Sequence, residues 1–235
     1  MVGLALLAAI CFGVTGCGSS NSSISGGNAS AQTLPDKTGE GYSQDTVLAL
    51  AALQAGNARY VAGTNTLLTR SIDRPLFLHS SQAPEAMILS CADSRVTPEL
   101  AFDQPWGQLF VTRGAGPVSE TFNAGSMEFA IAVLKSRLIV VSGHEGCGAV
   151  NGALGDPLPP GNLANLVALT IPAAQSAFGQ PGDPLDNAVR ANVNLQIAQL
   201  RKISAPIDNG LKAIPTLVIK GAVYHFASGE VEFLP

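Results

Sequence analysis

Leu138-Ile139-Val140-Val141-Ser142-Gly143-His144-Glu145-Gly146-Cys147-Gly148 opens as a strand and ends in chemistry. Leu138 to Ser142 lacks the inside-outside alternation of a half-exposed strand, so it reads as buried on both faces, as strands of parallel sheets are. It stops at Gly143-His144. Upstream, Pro84 precedes Ala86-Met87-Ile88-Leu89-Ser90, a second run of strand length that stops at Cys91 and continues as Ala92-Asp93-Ser94-Arg95. Leu109 to Thr112 reads as a further strand. Ser126 to Lys135, with Met127, Ala130, Ile131 and Leu134 on one face, predicts a helix feeding the Leu138 strand.

Outside this centre, a helix is expected from Asp45, with Val47, Leu48, Leu50, Ala51 and Leu53 along a broad apolar face before Gly56-Asn57 loosens it. Gly155 to Pro184 is rich in Pro and Gly, with a short helix around Leu163 to Leu169. A helix then runs from about Asp186 to Lys202, Thr216 to Gly221 makes a fourth strand, and Ala222 to Phe233 an edge hairpin. Alternating strands and helices predict an α/β fold, a central mostly parallel β-sheet flanked by helices with crossover connections.

At 235 residues, 46% apolar and 13% charged, the chain can bury one sizeable core. A net charge of −4 with dispersed lysines and arginines offers no basic stripe for nucleic acid or anionic lipid. The expected partner is a small molecule. The N-terminal region differs, since the first charged side chain is Asp36. Leu4 to Val14 is an apolar run too short to span a bilayer but of signal-peptide length, and Val14-Thr15-Gly16-Cys17 resembles a bacterial lipobox. Residues 1–17 are therefore expected to be a signal peptide ending at a lipidated Cys17, residues 18–44 a Gly/Ser/Asn-rich tether, and residues 45–235 one catalytic domain. This organisation implies an exported protein of the periplasm or cell envelope, touching membrane only through the Cys17 anchor.

The strand ends carry the candidate site. Ligands of open α/β sheets bind beyond the carboxyl ends of the strands, where Cys91 and His144 fall, with Cys147 close behind. Zinc takes thiolate sulfur and imidazole nitrogen in tetrahedral geometry, and a catalytic site keeps one position open. Each residue has a plainer reading: a buried cysteine as a small hydrophobe, a hydrogen-bonded core histidine, or a Cys91–Cys147 disulfide in an exported protein. None of these needs Asp93 and Arg95 alongside. Gly146 to Asn151 and Gly114 to Ser119 each lack the third glycine of a dinucleotide fingerprint, and neither a Walker A sequence nor a CxxC pair is present.

Six segments in order, GNARYVAG (56–63), CADSRVTPE (91–99), GQLFVTR (107–113), SMEFAIAVL (126–134), GHEGCGAV (143–150) and GAVYHFASGEVEFL (221–234), resemble the β-class carbonic anhydrases. The likeness spans about Asp45 to Pro235. It implies a zinc-dependent, reversible hydration of CO2 to bicarbonate and a proton, one Zn2+ per subunit, and a homodimer or higher even oligomer. It further implies that Cys91, His144 and Cys147 ligate zinc, and that Asp93 either hydrogen-bonds the zinc-bound hydroxide or, in a closed form, ligates the metal itself. Arg95 would be the ion-pair partner of Asp93. Gln82 would donate to the bound substrate, often from the neighbouring subunit; Phe110 would form an apolar pocket wall, and Gly148 a close backbone approach beside the metal.

The chemistry is coherent, because zinc lowers the pKa of bound water from 15.7 to about 7. Two thiolates cancel the ion's charge, and a carboxylate kept ionised by a neighbouring guanidinium compensates by orienting the nucleophile. Four positions depart from the family pattern: Gly114 and Pro117 stand where asparagines are common, Phe129 where a tyrosine is, and Ile88 where one subtype has a tryptophan. The last favours the open form, with Asp93 off the metal. His79 and His225 are expected to be surface or structural histidines rather than proton relays. The alternative readings are a COS or CS2 hydrolase on the same fold and a non-catalytic zinc-binding lipoprotein.

Overall fold

Strands β1 (Ala86–Cys91), β2 (Leu109–Gly114), β3 (Leu138–His144), β4 (Val218–Tyr224) and β5 (Val231–Phe233) form one sheet in the order β2-β1-β3-β4-β5. The computed structural model describes residues 45–66, 81–155 and 158–235. The expected signal peptide, Cys17, the tether and His79 lie outside the described residues. Pairings among β1 to β4 are parallel and only β5 runs antiparallel, which gives the mostly parallel α/β sheet expected.

The two apolar runs are the two strands buried along their whole length. Their side chains alternate between two cores. Met87, Leu89, Ile139 and Val141 face a cluster with Met127, Val189, Val193 and Leu200, while Ala86, Ile88, Leu138 and Val140 face one with Ala49, Leu53, Ala101 and Phe102. The first cluster is closed by α3 (Thr121–Ala132), α7 (Pro184–Ile203) and α8 (Ala205–Ala213); the second by α1 (Thr46–Val61) and α2 (Pro98–Ala101). Residues α4 (Gly148–Gly152), α5 (Asn162–Ala168) and α6 (Ile171–Ala177) complete the crossover from β3 to α7. No helix among the described residues is long and apolar enough to cross a membrane.

Helix α7 carries its own boundary signals. The Asp183 carboxylate accepts from Asp186 N at 2.8 Å, Pro184 occupies the first turn, and Arg201 and Lys202 sit in the last turn, where they suit the helix dipole.

Helix α1 departs from its expected pattern. Val47 and Leu48 are 74% and 57% exposed, and the buried residues are Thr46, Ala49, Leu53, Gly56 and Asn57. Gly56-Asn57 does not loosen the helix. A Cβ on Gly56 would lie 1.7 Å from the Phe102 carbonyl oxygen, so glycine lets the helix press against α2. Asn57 Nδ2 donates to the carbonyls of Ala101 (2.9 Å) and Gly229 (2.8 Å), and its Oδ1 accepts from Val231 N (2.8 Å). Three other boundaries shift: β3 runs on through His144, α3 starts at Thr121 rather than Ser126, and β4 runs to Tyr224 before the turn into β5. Helices α6 and α8, of 7 and 9 residues, add to the expected elements.

Candidate metal centre

Cys91 is the last residue of β1, His144 the last of β3, and Cys147 the residue capping α4. Parallel neighbours β1 and β3 pair Ser90 with Ser142, so both strands deliver their final residues to the same edge of the sheet. The tight turn at Glu145-Gly146, with Gly146 at φ 63°, brings Cys147 back beside them. All three are buried, and their ligand atoms lie within 4.8 Å of one another. The sulfurs are free thiols, with no disulfide between them.

Whether these residues fit a metal is decided by His144. Its Nδ1 bonds the Glu145 carbonyl at 2.9 Å, while Nε2 is buried with no hydrogen-bond partner. A buried polar atom left unpaired costs about 1 to 3 kcal/mol, and a metal ion is the partner that would satisfy it. Two soft sulfurs and an imidazole nitrogen suit zinc, and the Nδ1 bond is the kind of outer contact that fixes a ligating ring. The group fits.

The thiols divide a proton between them. Cys91 is lowered to about 4, chiefly by the hydrogen bond from Cys147, with further lowering by His144 and by the backbone N–H groups of Asp93 and Gly116. Those N–H groups lie 3.4 and 3.2 Å from the Cys91 sulfur. Cys147 is pushed well above the usual thiol range by that same bond and by burial. For His144, burial works against the charged ring, but the Cys91 sulfur, the Glu145 carbonyl and Asp93 outweigh it and raise its pKa. Binding a metal to such a set displaces protons, which ties affinity to pH.

Asp93 stands at the open side of the cluster, with Oδ2 3.9 Å from His144 Nε2. Arg95 clamps it through Nε to Oδ1 at 2.9 Å and Nη2 to Oδ2 at 2.7 Å, and its backbone N–H adds a bond to Oδ1 at 3.0 Å. This pairing holds the carboxyl well below the usual carboxylate range, so it stays ionised.

The other expected site residues are spread more widely. Phe110 is half-buried on β2 with its ring 6.1 Å from that of Phe129. Gly148 opens α4, and apart from its chain neighbours and its own helix no described atom lies within 4 Å of where a Cβ would sit, so packing does not require glycine there. Gln82 is exposed in the segment before β1. His225 bonds Glu232 at 3.1 Å, a structural contact.

Four residues not singled out from sequence also shape the site. Arg113 donates to the carbonyls of Cys91 (2.9 Å), Asp93 (2.8 Å) and Val96 (2.6 Å), fixing the loop after β1. Gly116, at φ 73°, turns the Gly114 to Pro117 segment so that its N–H meets the Cys91 sulfur. Glu145 and Phe226 link the site to the β4–β5 turn, a contact between residues 81 positions apart that no local pattern signals.

A profile of the family described as carbonic anhydrase matches residues 86–231. The carbonic anhydrase of Mycolicibacterium smegmatis is 40% identical over 190 residues, covering 79% of this chain and 92% of that one. Carbonic anhydrase 2 of Mycobacterium tuberculosis is 37% identical over 188 residues, covering 78% and 90%. Among solved structures, the Coccomyxa β-carbonic anhydrase in complex with acetazolamide superposes with a TM-score of 0.62 at 27% identity, covering 81% of this chain and 86% of that one. Shared sequence over most of both chains, with the same sheet and helices, makes this chain a member of the carbonic anhydrase family, in its β class.

Proposed function

We propose that this protein catalyses the reversible hydration of CO2 to bicarbonate and a proton, using one Zn2+ per subunit held by Cys91, His144 and Cys147. The observation carrying this reading is the buried His144 Nε2, unpaired between two thiols and 3.9 Å from an ionised Asp93. Bound zinc would supply the Lewis acidity that makes hydroxide available near neutral pH. The chain's residues do the rest. Asp93 accepts a hydrogen bond from the attacking oxygen and orients its lone pair, and Arg95 keeps Asp93 ionised and turned to one side. With both carboxylate oxygens on Arg95, the resting state is the open one, Asp93 off the metal. Phe110 supplies an apolar wall for CO2, Gly148 leaves room beside the metal, and Gln82 donates to the substrate across a subunit boundary.

A second copy of the chain belongs to this reading. Gln82 is exposed in the monomer, and α3 leaves Phe122 and Val133 86% and 58% exposed, a surface suited to a homodimer or larger even assembly. The N-terminal region is proposed to export the protein to the envelope and anchor it through Cys17. Cys17→Ser should then move the protein from the membrane to the soluble fraction; unchanged fractionation contradicts the anchor.

Stopped-flow CO2 hydration on zinc-loaded, reduced protein starting near Asp36 tests the activity, with Cys147→Ser beside it. Activity in the parent and its loss in Cys147→Ser are expected. An inactive parent with a full complement of zinc overturns the proposal.

A further inference from the structure

Phe226 lies in the turn between β4 and β5, half-buried, and its ring touches both parts of the candidate site. The Arg95 guanidinium carbon sits 4.1 Å from the ring centroid. On another side, the His144 ring meets it edge-on, with centroids 5.4 Å apart and planes at 63°. Tyr224 backs the ring at 5.5 Å and 88°.

The ring's position is set by the metal-site loop. Glu145 Oε2 accepts from Phe226 N at 2.9 Å, Glu145 N donates to the Tyr224 carbonyl at 2.9 Å, and the Glu145 carbonyl bonds His144 Nδ1 at 2.9 Å. One residue thus orients His144 and places the Phe226 ring. Arg95 needs such a platform, because its side chain is 60% exposed and a long exposed side chain loses rotamer freedom to hold a bidentate pair. An aromatic face under a guanidinium restricts that freedom while leaving the N–H edge free to bond.

We propose that Phe226 is a positioning residue whose ring face holds the Arg95 guanidinium in the orientation that clamps both oxygens of Asp93. Its consequence for catalysis rests on the carbonic anhydrase reading above; the clamp itself is a property of the chain with or without that activity. The competing account is that Phe226 only covers His144 with apolar surface. Leucine would serve that purpose, whereas only an aromatic ring offers Arg95 a π face.

The test compares zinc-loaded full-length parent, Phe226→Leu and Phe226→Tyr, with Phe226→Met replacing the leucine variant if that does not fold. The first readout is the Arg95 side-chain Nε–H resonance, assigned with Arg95→Lys. In the parent and in Phe226→Tyr it is expected to be ring-current shifted and slow to exchange with solvent, and in Phe226→Leu both properties are lost. The second readout is kcat/KM for CO2 hydration, expected to fall about two- to fivefold in Phe226→Leu at unchanged zinc content and to fall no further when that change is added to Arg95→Ala. An Arg95 resonance in Phe226→Leu that keeps the parent's position and slow exchange, or an equal activity loss in the Arg95→Ala background, overturns the proposal. A parent without CO2 hydration would instead overturn the assigned activity, and the resonance would still decide the clamp.

Discussion

Asp93 and Arg95 are two residues apart, and that spacing lets the Arg95 backbone and side chain converge on one carboxylate. The pair is therefore built by a local turn and needs no distant element to form it. What the distant elements add is direction: Arg113 pins the carbonyls of Cys91, Asp93 and Val96, so the turn faces His144. Replacing Asp93 with Asn keeps the shape but removes the charge that pairs with Arg95 and turns one of the two acceptor oxygens into a donor. CO2 hydration by Asp93→Asn is expected to fall about 100-fold or more, in the range seen when a positioned proton-accepting group is lost, with zinc content unchanged because the three ligands remain. Stopped-flow rates within threefold of the parent would show that Asp93 has no part in the reaction. This much of the candidate site is legible in the sequence, since the three possible metal ligands and the Asp–Arg pair fall in two short segments at strand ends.

Among the elements, α1 shows where reading a pattern fails. An apolar stripe marks a buried face only if large side chains are what packing needs, and here the contact with α2 needs a glycine and a buried amide. Val47 and Leu48 belong to the apolar face the sequence predicts, yet they are exposed, while Asn57 bonds three backbone groups far along the chain. Strands β1 and β3 are legible because continuous apolar runs leave little choice of burial; α6 and α8, of 7 and 9 residues, are too short for a repeating apolar face to stand out in the sequence. Gly56→Ala should accordingly destabilise the fold by about 3 kcal/mol, at the upper end for overpacking, although alanine is the better helix former. A denaturation midpoint at or above the parent's would refute the close approach.

The tie between α7 and β5 has a pH signature. Arg190 holds both Glu232 oxygens at 2.8 and 2.7 Å, and this pairing, with His225 assisting, lowers Glu232 to about 2. A depressed carboxylate pKa stabilises the folded state above the unfolded value, near 4.3, and that stabilisation is lost as pH falls from there through about 2. The Glu232 side chain is 40% exposed, so solvent screening limits the effect to under about 1 kcal/mol. Glu232→Gln should flatten the fall in stability across that acid range and leave its slope above pH 6 unchanged; an unaltered acid limb would show that the ion pair contributes nothing.

At the scale of the whole molecule, the candidate metal site gathers residues from five separate parts of the chain. Cys91 ends β1, His144 ends β3, and Cys147 begins α4, while Gly116 from the loop after β2 and Phe226 from the β4–β5 turn close around them. The candidate ligands are visible in the sequence because each sits in a recognisable segment; the surrounding contacts are not, because Gly116 and Phe226 are placed by topology. A metal that binds the folded chain alone stabilises it in proportion to the logarithm of its excess over Kd, about 4 kcal/mol at a 1,000-fold excess. For a domain of this size that corresponds to a melting temperature lower by roughly 10 °C after chelation. Removal also exposes the site's second chemistry. With Cys91 ionised far below the usual thiol range and Cys147 beside it, the thiolate is a ready nucleophile once an oxidant is present. Chelated protein kept in oxidising buffer is expected to acquire a Cys91–Cys147 disulfide, seen by peptide mapping, and to regain zinc only after reduction; zinc-loaded protein in the same buffer should keep both thiols. Equal melting temperatures with and without chelator would mean that the cluster holds no metal, and a chelated protein that stays reduced would mean that the fold keeps the two sulfurs too far apart or too rigid to join.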